Sequence, residues 1–305
     1  MTASQAASSP DQPVSGGLCA IHQPNLFPRL TTLAKLSAAD TWIVLDDVQF
    51  TRRDYQHRTR LAALTDPDRT RWLSIPTHLP QGRQTAIRDA LIADPAAARR
   101  RTEAMVRQEY RTSPHWPVLQ TALEPVWAAF DTGRTAAVAE TSTRILLDLL
   151  GWPGRILTAA GLPARPERSQ RLADLTAQAG AGTYLCGTGG MTYLDPAPFT
   201  ARGITVAPFL PPAAGIWASA RRVTSLWALA HLGPDGLAAR VRLRRAPSRT
   251  DLHAQPSVRG RASTGSETLW DQAVGRRSGM TLSGVGPGSA NADAPHRVAP
   301  AAPVP

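Results

Sequence analysis

A chain of 305 residues allows one large domain or two small ones, and 42% hydrophobic side chains are enough for a sizeable core. It contains no run of about 18 apolar residues and so no candidate membrane-spanning helix. The formal charge of +11 raises nucleic acid as a partner, but ten Arg against four acidic residues between Leu237 and Pro305 put +6 of it at the C-terminal end. The remaining excess is too mild to call for a polyanion, and dedicated nucleic-acid binding is not expected.

Residues 1–17 are polar and non-periodic and read as a disordered leader, without the basic and apolar regions of a signal peptide. With only two cysteines, Cys19 and Cys186, the expected location is the cytoplasm, with both thiols reduced. Residues 18–21 form a short apolar strand, 30–37 a helix, and 41–45 a strongly buried strand. A further strand falls at 72–75. Three successive helices follow, two of them opened by Asp94-Pro95 and Ser113-Pro114 as N-cap and first-turn proline, the third running over 135–150 and stopped by Gly151. Next come a strand at 155–158, a helix at 167–179, a strand at 183–186, a short helix after Asp195-Pro196, a strand at 204–207 and a helix at 221–231. From Ala246 onward Pro, Gly, Ser and Arg replace apolar periodicity, which reads as a disordered tail over 246–305. The working domain is therefore 18–245. Its fold class is α/β: a mainly parallel sheet with helices on both faces and a helical insertion.

Chemistry-bearing residues gather at strand ends, where open α/β sheets bind ligands. His22-Gln23-Pro24-Asn25 follows the first strand. His22 there is a candidate proton-transfer group, with Gln23 and Asn25 as directional hydrogen-bonding partners for a substrate; a plain proline turn accounts equally for the spacing. Asp46-Asp47-Val48-Gln49 follows the second strand. Two adjacent carboxylates call for a cation, a metal or water, or serve as a helix cap. The stretch from Arg52 to Arg60 is rich in guanidinium groups, and Arg53, Arg58 and Arg60 are candidates to clamp a phosphate or carboxylate, against the alternative of a solvated basic loop. The later strand breaks into Gly187-Thr-Gly189-Gly190-Met-Thr-Tyr193, which lets the backbone approach an anion but is neither a dinucleotide fingerprint nor a P-loop. Cys186 reads as a small buried residue rather than a nucleophile. No motif specifies a cofactor, a metal ligand set or an oligomeric state.

Together these segments resemble the WbqC-like protein family across about 20–233. The likeness is carried by Ile21-His22-Gln23-Pro24-Asn25 with Pro28, by Leu45-Asp46-Asp47-Val48-Gln49-Phe50, by Arg53, Gln56, Arg58 and Arg60, and by Trp72-Leu73 with Pro76. Further on it continues through Ser169, Arg171, Tyr184-Leu185, Gly187, Gly189-Gly190 and Tyr193-Leu194. The resemblance implies an α/β protein of O-antigen, other polysaccharide or secondary-metabolite assembly. It points to acyl or aminoacyl transfer to an amino sugar or amine, with a small anionic substrate or nucleotide-sugar as partner. Under that reading His22, Asp46 and Asp47 are catalytic, while Gln23, Asn25, Gln49, Arg53, Arg58, Arg60, Gly187, Gly189, Gly190 and Tyr193 bind substrate. A non-catalytic protein that holds an anionic metabolite is the alternative. So is a nucleotidylyltransferase-like enzyme, since Arg168-Ser169-Gln170-Arg171 is similar to the second phosphate motif of those enzymes and of class I synthetases. Two departures from the family pattern stand out: Phe209-Leu-Pro-Pro-Ala-Ala-Gly215 where the family has a His-Pro-x-Tyr-x-Gln stretch, and Trp227 where it tends to carry Asp.

Overall fold

A computed structural model describes residues 16–219 and 221–242, all within the contact unit Met1–Gln255. Expectations for residues 1–15 and 246–305 lie outside the described residues. In chain order the elements are β1 (Gly17–His22), α1 (Leu30–Ala38), β2 (Thr41–Val44), β3 (Arg58–Ala63), β4 (Asp66–Ser74), β5 (Thr77–His78) and β6 (Leu91–Ile92). Then follow α2 (Pro95–Tyr110), α3 (Trp116–Ala122), α4 (Glu124–Ala128), α5 (Thr135–Leu149), β7 (Arg155–Thr158), α6 (Arg168–Gln178) and β8 (Ala181–Gly187). The last are α7 (Thr188–Met191), α8 (Ala197–Thr200), β9 (Thr205–Phe209) and α9 (Ser225–Arg242).

Five strands form one parallel sheet in the order β7-β2-β1-β8-β9. The chain builds outward from β1 through β2 to β7, then returns to the other side of β1 for β8 and β9. This is a doubly wound sheet whose order reverses between β1 and β8. Its central strands are apolar on both faces, as parallel strands under two helix layers must be: every residue of β2 is buried. Alternation divides the core. Ala20, Trp42, Val44 and Leu185 face a large cluster under α1, α5 and α9, while Cys19, Ile21, Ile43, Tyr184 and Cys186 face a smaller one with Ala173 and Leu175 of α6 and Phe199 of α8.

The long connection from β2 to β7 holds the helical insertion, and also an antiparallel hairpin, β3–β4, in which Arg60 pairs Trp72. Only its second strand is visible in the hydrophobic pattern. The helix expected at Ser113 begins later, at Trp116. Ser113 is taken up by ending α2: its N–H donates to Tyr110 O (2.9 Å), and its Oγ accepts from the His115 N–H (3.0 Å) and donates to Ala230 O (2.5 Å). The last helix runs past its expected end to Arg242, broken at Gly233, whose φ of 72° favours glycine and whose missing Cβ would lie 2.7 Å from the His115 ring.

The loop from β1 to α1 lies in the interior and has no strand or helix to satisfy its backbone. Buried hydroxyls do so instead. Ser142 Oγ accepts from the Phe27 N–H (2.8 Å) and lies 3.2 Å from Asn25 O, which also accepts from Thr143 Oγ1 (3.0 Å). Phe27 O accepts from Thr59 Oγ1 (3.0 Å) and Thr224 Oγ1 (2.9 Å), and Pro28 O from Ser225 Oγ (2.7 Å). Replacing Ser142 by Ala should therefore leave a buried N–H without its acceptor and destabilise the fold by about 1–3 kcal/mol. Urea denaturation checks this; a loss within error of zero would show that the loop is held by packing alone.

Candidate functional site

A cleft of about 820 Å³ opens at the carboxyl edge of the sheet, over the point where β1 and β8 part. Its floor includes His22, Gln23 and Asn25 from the end of β1 and the loop after it. One wall is Gly187, Gly189, Gly190 and Tyr193 from the end of β8 and the segment that follows. These seven are the sequence-predicted residues that the fold brings together. The glycine segment is wound into the short helix α7 rather than an open loop. Gly190 is required for close packing, since a Cβ there would fall 2.7 Å from Cys186 Sγ, whereas a Cβ on Gly189 would meet nothing.

His22 is half-buried. Its Nδ1 is 2.8 Å from Gln23 O, which makes Nδ1 the protonated nitrogen and leaves Nε2 as an acceptor. Burial, the Lys35 charge and, less strongly, the Arg29 charge lower its pKa to about 3, against a smaller upward pull from the Gln23 carbonyl. The imidazole is thus held neutral. Gln23 is oriented by the fully buried Gln56, whose Nε2 donates to Gln23 Oε1 at 2.7 Å. Asn25 is buried, and its amide oxygen has no partner among the described residues.

The other predicted residues stand off the cleft lining. Asp47 binds Arg171 at 2.5 Å, and through that ion pair it orients a guanidinium that does line the cleft. Asp46 keeps an unpartnered buried oxygen, and its pKa is raised by burial first and by the charge of Asp47 next. Among the described residues no group of three or more His, Cys, Asp or Glu is placed to hold a metal ion. Gln49 is exposed and donates to Arg83 O at 2.5 Å. Arg53 offers its carbonyl to the Arg58 guanidinium. Arg58 and Arg60 both stack on Trp72, at 4.6 and 4.8 Å from the ring centroid. Their charge is spent on the β3–β4 hairpin.

The cleft draws its charge from elsewhere. Arg29, Lys35, Arg168, Arg171 and Arg221 line it, against one carboxylate among the described residues, Asp54. Arg29 is braced by stacking on Tyr55 (4.5 Å) and by a bond to Arg221 O (3.0 Å); Arg168 stacks on Tyr193 (5.4 Å). Arg168 and Arg171 belong to the segment read from sequence as similar to a phosphate motif. Lys35 was open to detection as the one charge in the otherwise uncharged helix LTTLAKLSA. Arg29 and Arg221 carry no local signal that separates them from other surface arginines. Of the two departures from the family pattern, one reaches the site: Phe209 and Pro211 line the cleft. Trp227 is buried away from it, donating to Leu64 O (3.3 Å) and stacked on His231.

Fold and site define a doubly wound α/β protein with a basic cleft at its switch point. The chain belongs to the WbqC-like protein family, which it matches over residues 23–212. It is also similar to the uncharacterized protein Rv1507c of Mycobacterium tuberculosis (strain ATCC 25618 / H37Rv), with 24% identity over 190 residues, 62% of this chain and 80% of that protein. No solved structure matches. No helix among the described residues is long and apolar enough to cross a membrane.

The depressed His22 pKa has a consequence for stability. Between about 3 and the ordinary 6.5 the unfolded chain binds a proton that the folded chain refuses. Stability from this group is therefore fully present above pH 6.5 and lost as pH falls toward 3. A His22→Gln variant should lose less stability than wild type over that window. Parallel denaturation curves through it would refute the neutral imidazole.

Proposed function

We propose that the protein is a transferase-type enzyme of polysaccharide, O-antigen or secondary-metabolite assembly. In this reading it moves an acyl or aminoacyl group from an anionic, phosphate-bearing donor to the amine of an acceptor such as an amino sugar. The observation that carries the reading is the division of labour in the cleft. Arg29, Arg168, Arg171 and Arg221 make its lining cationic. Its floor offers two acceptors without a donor among the described residues: the Asn25 amide oxygen and His22 Nε2. Guanidinium groups suit phosphate oxygens, and buried acceptors suit the N–H groups of an amine.

In the reaction the acceptor nitrogen attacks the acyl carbon, a C–N bond forms, the C–O bond to the phosphate breaks, and the phosphate leaves with the electron pair. His22 holds the amine N–H through Nε2, becomes more basic once an anion offsets the neighbouring cations, and takes up the proton that the nitrogen loses as the amide forms. Arg171, fixed by Asp47, stabilises charge on the leaving group. A second reading, nucleotidylyl transfer, is favoured by the strand order together with Arg168-Ser169-Gln170-Arg171 at the start of α6.

The test is incubation with acyl-adenylates or nucleotide-sugars and amino-sugar acceptors, and separately with nucleoside triphosphates and sugar phosphates, with products read by mass spectrometry and pyrophosphate release. An N-acylated product supports acyl transfer, pyrophosphate release supports the second reading, and tight binding without product would make this a non-catalytic binding protein. Arg171→Ala should weaken binding of the phosphate-bearing ligand by about 1.5–3 kcal/mol, as measured by calorimetric titration. Asp47→Asn should act in the same direction and less strongly. Unchanged affinity in both would remove Arg171 from the site.

A further inference from the structure

Lys35 is the sole lysine of the chain. It sits on α1, is 6% exposed, and lines the cleft. The pairing of β1 with β8 runs from Gly17↔Ala181 to Cys19↔Tyr184. Past that point each strand keeps only its outer neighbour: β1 stays on β2 to His22↔Val44, and β8 on β9 to Gly187↔Phe209. The Lys35 ammonium enters this split. Nζ donates to Ile21 O at 3.4 Å, and a Cβ on Gly187 would stand 3.9 Å from Nζ.

What is missing is a counter-charge. Among the described residues Lys35 makes no ion pair. The titratable groups that face it are Cys19 and His22 from β1, Cys186 from β8 and, beside His22, Arg29 ahead of α1. None supplies an anion. Burial pushes the Cys19 thiol up to about 12 and raises Cys186 as well, and His22 is neutral. An ammonium has three donors, and here one long bond serves them. A buried, unpaired charge is costly and is kept only where something else meets it. The same burial lowers the Lys35 pKa to about 8.

We propose that Lys35 Nζ, in the split between β1 and β8, is an oxyanion subsite on the floor of the cleft that a carboxylate or phosphate oxygen of the ligand fills, and that Lys35 takes up a proton as that ligand binds. The proposal rests on the reading of the cleft as an anion site and goes further, giving the ligand a second anchoring point besides the arginines of the lining. The ligand's oxygen provides the counter-charge that the protein withholds, so Lys35 in the complex returns toward an ordinary lysine. Binding is then linked to proton uptake, and affinity falls as pH rises through about 8.

Inorganic pyrophosphate and malonate serve as probes, one for each oxyanion chemistry. Lys35→Met keeps the length of the side chain and removes the charge. It should bind the preferred probe about 10- to 100-fold more weakly at neutral pH, lose the pH dependence, and, without ligand, melt at least about 2 °C higher, because a buried unpaired charge is gone. Loss of binding in Arg171→Ala but not in Lys35→Met would overturn the subsite and leave the cleft reading standing. No binding of either probe to wild type would overturn both. A second measurement does not depend on the variant. Reductive methylation with ¹³C-formaldehyde labels Lys35 and the N-terminal amine as separate NMR signals, and the Lys35 titration midpoint should lie near 8 and rise with the probe. A midpoint that stays put when the probe binds would refute the proposal.

Discussion

The site depends on the way one buried loop is held. Between β1 and α1 the chain passes through the interior with its backbone groups unserved by strand or helix. Hydroxyls of Ser142, Thr143, Thr59, Thr224 and Ser225 bind those groups instead. They come from α5, from β3, and from Ser225 at the start of α9 with Thr224 just before it, so three distant stretches of chain set the course of six or seven residues. A buried carbonyl or N–H left unbound would cost as much as a lost core contact. The loop is thereby restricted to one path, with Phe27 at a φ of 43° within it. His22 and Asn25 face the cleft because that path is fixed.

Within this frame the electrostatics are deliberately unbalanced. Among the described residues the five basic side chains of the cleft meet one carboxylate in its lining, and Asp47, outside the lining, orients Arg171 and offsets part of its charge. Each like-charge neighbour makes the next protonation harder. Burial lowers the pKa of both His22 and Lys35, and for His22 the Lys35 and Arg29 charges add to it. Such an arrangement lowers the stability of the protein, and under the proposed function a bound anion would relieve it. The same trade of stability for function is common where a site must bind charge out of water.

The basic stretch Arg52–Arg60 illustrates how tertiary partners reassign charge. Arg58 and Arg60 project from one face of β3, as the two-residue period requires, but the surface they meet is Trp72 across the hairpin. Their guanidinium groups brace an exposed aromatic ring and so stiffen the hairpin that carries Thr59 to the buried loop. Trp227 is a similar case: its position, polar in the family pattern, is a packing and hydrogen-bonding point in this fold, whereas Phe209 and Pro211 alter the cleft wall itself.

Local sequence was enough to specify the α/β class, the five parallel strands, most helix starts and ends, and the two strand-end segments that form the floor and wall of the cleft. Those features rest on short-range physics: apolar runs must be buried, Asp94 caps the N–H of Ala97, and glycine ends α5. The strand order was not legible, because a parallel crossover does not announce on which side of β1 the chain will return. With the order went the switch point, and with it the residues that gather there. Lys35 and Arg29 look like ordinary members or neighbours of a buried helix until β1 and β8 part beneath them. Conversely, Asp46, Gln49, Arg53, Arg58 and Arg60 adjoin the right strands in sequence yet lie off the cleft lining. Adjacency along a chain fixes a residue's height on the sheet edge, and only the packing of distant elements decides which way its side chain can go.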